Sequence, residues 1–449
     1  MAFLGVAAAV PLIAAMAVTV SVSRPTIAIV LVLSPAGILL ARRSVAYPVA
    51  LFALPTLVIA LLRRDPFPHG LVTALYFAWM FVGIVFALMK GEQKLPLRLL
   101  LTGPVMFSVL LAIDLLARLP ASLSPGYGST KLQLFLLQNL ILLIAGTLIG
   151  QRRWHLERLL YVELILAAVI GVVLLWHLAR GDAQTFFANR YTISAQENPI
   201  QLGRESADGL IVATWVLLAA TRPAVRLAAA AVLPVLVVTL LSSGSRGPVL
   251  GAVVGLVTLM AVLAHYRSAR RRLLLVAVSG AAASVLATQL VPGQSMTRSL
   301  SFLIGSGSGL DSNGRTTLWS QAWSHFLQHP VFGIGTGSFR YFVAPLESYP
   351  HNLVLETAVE LGLVGAILAV GFLVSSWLAM ARTRFLPGPA GLQAAVVIAL
   401  FTSAVVNAMF SGDITTNANV WLAAGLGLGL AMRADGAPDT AVPLVPRRP

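Results

Sequence analysis

The sequence predicts an all-α polytopic integral membrane protein with about 12-14 transmembrane helices. Three observations predict it. Of 449 residues, 58% are hydrophobic and only 10% are charged, whereas an ordinary soluble domain carries about 25% charged residues. Mean hydropathy is +0.87. The apolar runs are long and unbroken, which excludes an outer-membrane barrel, whose strands alternate over segments of about 10 residues. Cysteine is absent, so disulfides, thiolate metal sites and thiol catalysis are excluded.

Taken in order, the apolar runs are 2–20, 25–41, 45–62, 71–89, 97–117, 131–150, 156–178, 206–221, 225–241, 248–265, 272–290, 352–379, 391–411 and 415–432. Several are shorter than the ~20 residues a helix needs to cross a bilayer, which is why the count is a range. The first run has no basic segment before it and no Ala-x-Ala site after it, so a retained membrane segment is expected. Basic clusters occur at Arg42-Arg43, Lys90 to Lys94, Arg152 to Arg158, Arg222 to Arg226, Arg267 to Arg272, Arg382 to Arg384 and Arg447-Arg448. All fall on one side if the helices alternate, and the positive-inside rule makes that side cytoplasmic. Arg63-Arg64 is the exception. Both termini are then expected in the cytoplasm. The net charge of +15 is a topology signal rather than a sign of nucleic acid.

The expected organisation is N-terminal transmembrane helices (1-178), a periplasmic loop (179-205), transmembrane helices with a Ser-Arg-Gly turn (206-290), a large periplasmic loop (291-351), C-terminal transmembrane helices (352-432) and a cytoplasmic tail (433-449). The Pro/Arg-rich tail is expected to be disordered. The opposite, polar-loop face is periplasmic if the membrane is a Gram-negative inner membrane. In the large loop, Thr316 to Gln328 predicts a helix opened by Asn313-Gly314. Its Trp319 and Trp323 at i, i+4 suit a membrane interface. Gly333-Ile334-Gly335-Thr336-Gly337 predicts a tight backbone turn. Long loops of this kind are usually functional.

The candidate chemistry lies on that face. Ser242-Ser243-Gly244-Ser245-Arg246-Gly247 joins two apolar helices. Its hydroxyls and amides at a helix start suit an anion, and Arg246 adds a planar fork suited to phosphate. The plainer reading is a short turn with one interfacial arginine. Arg190, Arg204, Arg298, Arg315 and Arg340 lie on the same side. Each alone reads as a solvated or headgroup-binding arginine; several beside glycine-rich turns favour a polyphosphate. His351 at the mouth of an apolar helix is a candidate base, with a capping or structural histidine as the plainer reading. His325 and His329 have a metal-ligand spacing but no acidic neighbour, and Glu197, Glu205, Asp208, Asp311, Glu347, Glu356 and Glu360 are scattered. No paired-carboxylate spacing appears, which argues against a metal-dependent nucleotide-sugar transferase.

The run His351-Asn352, nine residues, then Gly362-x-x-Gly365 resembles the signature of bacterial O-antigen ligases, within the wider ligase/polymerase membrane family. Ser245-Arg246-Gly247 opening a helix, Arg315 four residues before Trp319, and the Pro330 to Phe339 stretch are similar to that family in the same order. The resemblance covers about 205–380 and elsewhere only hydropathy. It implies a GT-C-like, multi-span, lipid-donor glycosyltransferase of about twelve spans, so two of the runs are expected to be short or re-entrant. The implied donor is a glycan on undecaprenyl diphosphate, and the acceptor is a sugar hydroxyl of lipid A–core oligosaccharide. Membrane lipids are the remaining partners, and no nucleic acid is expected. Transfer is implied at the periplasmic face of the inner membrane, with inversion and with no metal or other cofactor.

By motif, His351 is the general base, and Arg246 and Arg315 hold the diphosphate. Arg190, Arg204 and Arg340 join them by side and charge. Asn352 orients His351 or holds a sugar hydroxyl. An O-antigen polymerase or a protein O-oligosaccharyltransferase shares the donor and differs in acceptor. An anion transporter would need charges inside spans and paired broken helices, and Asp114 and Glu163 are the clear mid-span acids by sequence. A scaffold would leave the arginines and His351 unexplained.

Overall fold

The computed structural model describes residues 35–51, 69–91, 93–186, 190–193, 198–264, 273–304, 314–343 and 348–434. The first apolar run, most of the second and third, Arg63-Arg64, the Arg267 to Arg272 cluster, Glu197, Asp311, Asn313, Glu347 and the tail from 435 lie outside them. The described residues form an all-α bundle with one short hairpin. Its elements are α1 (His69–Met89), α2 (Gly103–Arg118), α3 (Pro125–Gly150, with a π-helical stretch Phe135–Leu140) and α4 (Arg153–Arg180). The hairpin strands β1 (Gln184–Phe186) and β2 (Arg190–Thr192) follow, then α5 (Pro199–Ala219), α6 (Pro223–Ser242), α7 (Arg246–Leu263) and α8 (Leu273–Leu290). Next come α9 (Gly293–Ile304), α10 (Arg315–Gln328), α11 (Leu353–Ala381), α12 (Gly388–Phe410) and α13 (Asn419–Ala434).

Among the described residues, 7 helices are long and apolar enough to cross a membrane. They include α3, α4, α6, α7 and α12, together with α2 and α11 extended by their terminal turns. This is fewer than the dozen or so expected, and the count leaves out the part of the N-terminal region that lies outside the described residues. The 16-residue α13 is short. The helix α5 carries Arg204, Glu205 and Asp208, which mask its hydropathy. It begins at Pro199, where the apolar run alone points to 206, because Asn198 caps it: the Ile200 N–H donates to Asn198 Oδ1 at 2.9 Å.

Packing in the bundle relies on small residues, as expected where lipid removes the hydrophobic drive between helices. Gly146 and Gly150 of α3 face Gly425 and Gly429 of α13, and a Cβ at any of the four would run into backbone of the other helix. Gly251 and Gly255 of α7 also allow close approach, with Asn407 and Ser403 of α12 over the first and Ile211 of α5 and Ala399 of α12 over the second. Trp421 anchors the centre: it is fully buried, stacks on Phe372 at 4.7 Å, meets Phe135 edge-on at 5.4 Å and donates to Ser108 Oγ at 3.2 Å.

The span after His351 is not one continuous helix. Gly362, at φ 74° and ψ −161°, breaks α11 into two halves. The glycine-rich stretch before the histidine fills the break. Leu363 N–H donates to Pro330 O at 2.8 Å, Ile334 N–H to Val359 O at 3.0 Å and Gly335 N–H to Glu360 O at 2.9 Å. Backbone groups freed by a helix break must be satisfied where water is scarce, and here the loop does it. The two motifs are therefore halves of one joint. A Cβ at Gly362 would overlap the Val331 carbonyl, and one at Gly333 the Glu360 backbone. Gly362→Ala adds backbone strain on the order of 1–3 kcal/mol to that overlap. It is expected to lower both the yield of monodisperse protein and its melting midpoint in detergent; an unchanged midpoint would show that the joint is not needed.

The bundle interior holds more charge than Asp114 and Glu163. Lys131 on α3 is fully buried and pairs at 2.7 Å with Glu356 and at 2.7 Å with Glu360, both on the first half of α11. Glu205 and Asp208 of α5 line a pocket with Glu163.

Candidate functional site

The site is built at one end of the bundle, where the α6–α7 turn, the hairpin, α9, α10 and the start of α11 meet. The turn Ser243-Gly244-Ser245 needs glycine: Gly244 has φ +59°. Two arginines clamp it. Arg190, delivered by β2, donates through Nε to Ser243 O at 3.2 Å and through a terminal nitrogen to Ser245 Oγ at 2.7 Å. Arg298 of the amphipathic α9 donates through Nε to Gly244 O at 3.2 Å, and Arg246 Nε donates to Arg298 O at 3.3 Å. Arg315 is the first residue of α10. Arg190, Arg246, Arg298 and Arg315 together line one small open pocket, with Ser245 and Ser411 beside them. Among the described lining residues there is no carboxylate.

The electrostatics follow from that crowding. Burial, then the nearby Arg298 and Arg315, pull the Arg190 guanidinium down to about 10. Burial and then Arg246 lower Arg298 as well. Like charges held together in a partly dry site oppose each other, and an anion between them relieves it. Four guanidinium forks can meet several phosphate oxygens at once, which ammonium groups do with less geometric precision.

His351 has φ +58°, alone among the described non-glycine residues in being left-handed. Such strain persists where surroundings over-determine it, and it concentrates at functional sites. The surroundings here are specific. Trp319 Nε1–H donates to Pro350 O at 2.8 Å, and the Trp319 ring lies 6.3 Å from Phe410. Trp319 is one turn beyond Arg315, so the Arg-x3-Trp spacing ties the arginine pocket to the histidine segment. The His351 ring meets Tyr349 edge-to-face at 4.7 Å. Gly412 N–H donates to His351 Nδ1 at 3.3 Å. A neutral ring accepting at Nδ1 carries its proton on Nε2. To take a proton, this ring must release the long Gly412 bond, either to accept at Nδ1 itself or to move its own proton there and accept at Nε2.

Asn352 is the helix cap. Its Oδ1 accepts from Leu355 N–H at 2.9 Å, and its Nδ2 donates to Met409 O at 3.2 Å. The amide is engaged with backbone at both ends, which favours fixing the residue before it over holding a sugar. Arg204 lies outside the arginine pocket. It is buried and donates to Ser411 O at 2.9 Å, Thr416 O at 2.9 Å and Asn417 Oδ1 at 2.7 Å. Arg340 also lies outside, with its guanidinium 5.2 Å from the centre of the Tyr127 ring. Of the five arginines assigned to the diphosphate by sequence, the structure gathers Arg190, Arg246 and Arg315, and joins to them Arg298, which the sequence placed on the same side without a role. His325 packs against Phe342 at 4.0 Å, and His329 ends α10. Among the described residues, no group of three or more His, Asp or Glu is arranged to hold a metal.

Sequence reading passes over the loop Ser411 to Asn417 entirely. Ser411 lines the arginine pocket, and the next residue, Gly412, contacts His351. Asp413 organises the turn: Oδ1 accepts from the N–H and hydroxyl groups of Thr415 and Thr416, and Oδ2 from Tyr127 Oη–H at 3.0 Å. Burial opposes its charge, but Lys131 and these donors hold it below the ordinary carboxylate range. The available signal is Asp413-Ile414-Thr415-Thr416 between two apolar runs, a side-chain-capped turn.

Among known families, the model described as O-antigen ligase matches residues 229–370. The match runs from α6 through the Ser245 turn, α9, α10 and His351 to the second half of α11. It contains Arg246, Arg298, Arg315, His351 and Gly362, but neither Arg190 nor the 411–417 loop. No curated protein matches the chain.

Proposed function

We propose that this chain, whose 229–370 segment makes it a member of the O-antigen ligase/polymerase family, is a lipid-diphosphate-dependent glycosyltransferase. Its donor is a glycan on undecaprenyl diphosphate, its acceptor a sugar hydroxyl of lipid A–core oligosaccharide, and its place the periplasmic face of the inner membrane. The observation that carries this reading is the convergence of Arg190, Arg246, Arg298 and Arg315 on one pocket whose wall, Ser411, adjoins the Gly412 that contacts His351.

The chemistry follows from that arrangement. The diphosphate sits among the arginines, and the prenyl chain lies along apolar helix faces. The acceptor hydroxyl attacks the anomeric carbon from the side opposite the diphosphate. A new C–O bond forms, the bond to the diphosphate oxygen breaks, and the centre inverts. The hydroxyl proton passes to His351. Negative charge builds on the leaving diphosphate, where preorganised arginines in a water-poor site stabilise it. No step requires a metal.

The test is complementation of a Gram-negative strain that lacks its ligase and has a compatible core, with lipopolysaccharide resolved on a gel. A ladder of capped core is expected. A well-expressed protein that instead extends lipid-linked glycan, or glycosylates protein, would move the acceptor assignment to polymerase or protein transferase. In membranes, EDTA is expected to leave turnover unchanged; inhibition reversed by Zn²⁺ or Mg²⁺ would overturn the metal-free mechanism.

A further inference from the structure

Two buried side chains outside the arginine pocket, Glu356 and Asn139, hold Ile414 of the 411–417 loop, and Glu356 is one corner of a buried triad with Lys131 and Glu360. Lys131 Nζ pairs with Glu356 Oε1 and Glu360 Oε2, each at 2.7 Å. The three residues are between 1% and 2% exposed. Glu356 uses its other oxygen, Oε2, to accept from Ile414 N–H at 2.9 Å. The carbonyl of that same Ile414 accepts from Asn139 Nδ2 at 2.8 Å. Asn139 sits in the π-helical stretch of α3, a distortion that is frequent at functional sites. Ile414 is thus held at both its N–H and its C=O, two residues after the Gly412 that contacts His351 Nδ1.

A buried ion triad is weak as a stabiliser: replacement by apolar residues of similar volume is often neutral or better. Its value lies in register. We propose that Lys131, Glu356 and Asn139 are positioning residues for His351, acting through the Ser411 to Ile414 loop. They set where Gly412 N–H meets the imidazole, and with it the place of the ring before it takes the proton. This rests on the glycosyltransferase reading and on His351 as its base.

The two glutamates separate this role from a general need for charge. Glu360 uses one oxygen, Oε2, both for Lys131 and for Gly337 N–H at 2.9 Å. Its Oε1 is buried without a hydrogen-bond partner. Glu360→Gln can place its carbonyl oxygen at the Oε2 position and its amide nitrogen at the vacant one, so every contact persists. Glu356→Gln cannot do this. One oxygen must serve where two did, and the amide N–H₂ then faces either the Lys131 ammonium or the Ile414 N–H. Both variants remove one negative charge, but only Glu356→Gln disturbs the loop.

The experiment uses full-length protein in nanodiscs, with undecaprenyl-diphosphate-linked glycan and lipid A–core as substrates. Kinetics and melting midpoint are measured for wild type, Glu356→Gln, Glu360→Gln and Asn139→Ala. The expected result for Glu356→Gln is a kcat loss on the order of 10- to 100-fold, the scale of a misplacement of about 1 Å. Donor KM and midpoint stay near wild type. Asn139→Ala, which touches no charge, is expected to lower kcat in the same way, and Glu360→Gln to keep it within about threefold. Equal losses in the two glutamate variants would overturn the proposal, because charge rather than the loop would then matter. So would unchanged kcat in Glu356→Gln, or losses in both Glu356→Gln and Asn139→Ala that only follow a lowered midpoint. If Glu356→Gln does not fold, Asn139→Ala decides alone. A wild type inactive with this substrate pair would sink the functional reading itself.

Discussion

His351→Ala is expected to lower glycan transfer by about 10²- to 10⁴-fold, the span typical of losing a general base, while leaving the melting midpoint in detergent close to wild type. The structural cost is small because the residue's fixed surroundings do not depend on its ring. Asn352 caps α11, and Trp319 holds the Pro350 carbonyl. Alanine also relieves little of the left-handed backbone at 351, since a Cβ remains. The bond that Gly412 N–H donates to the ring is long, at 3.3 Å. Capped-core formation in the complementation strain and turnover in nanodiscs measure the effect. Full activity in either would remove His351 as the base.

Arg246→Ala and Arg315→Ala are each expected to cost on the order of 10²- to 10³-fold in kcat/KM, as for a donor aimed at developing charge. Arg246→Lys and Arg315→Lys are expected to recover only a small part. Lysine keeps the charge but loses the planar fork. It also loses the side chain's second role at the turn, where Arg246 Nε donates to the Arg298 carbonyl. Donor titration against transfer rate measures both series. Lysine variants with wild-type rates would show that simple charge neutralisation is enough and that bidentate geometry is not.

The resemblance in sequence reaches the right neighbourhood for local reasons. Ser245-Arg246-Gly247 and the Arg315 to Trp319 spacing are short-range patterns. Each residue's position follows from a turn or one helical step, so side and chemistry can be read along the chain. Arg298 lacked such a pattern: its role depends on α9 folding back onto the Gly244 carbonyl, more than fifty residues earlier. Arg204 illustrates the opposite error. Its charge and side match the others, but α5 starts at Pro199 and carries it into the bundle, where it binds the 411–417 backbone. Asn352 reads in sequence as either orienting His351 or holding a sugar hydroxyl; its φ of −148° and its bond from Leu355 N–H, which make it the helix cap, are not legible along the chain.

Composition and periodicity alone determined that this is an all-α membrane protein, because a bilayer admits little else from long apolar runs. Local motifs brought the arginines and His351 to attention as residues of one end of the molecule. Tertiary structure decided how those motifs meet. It showed that the glycines at 333, 335 and 362 form a joint in which a loop fills a broken helix. It also brought Lys131, Glu356, Asn139 and the 411–417 loop together across as many as 283 positions in sequence, counting from Lys131 to Ile414. The reason is physical: hydropathy depends on neighbours along the chain, whereas a buried charge is tolerated only by partners that folding delivers from elsewhere.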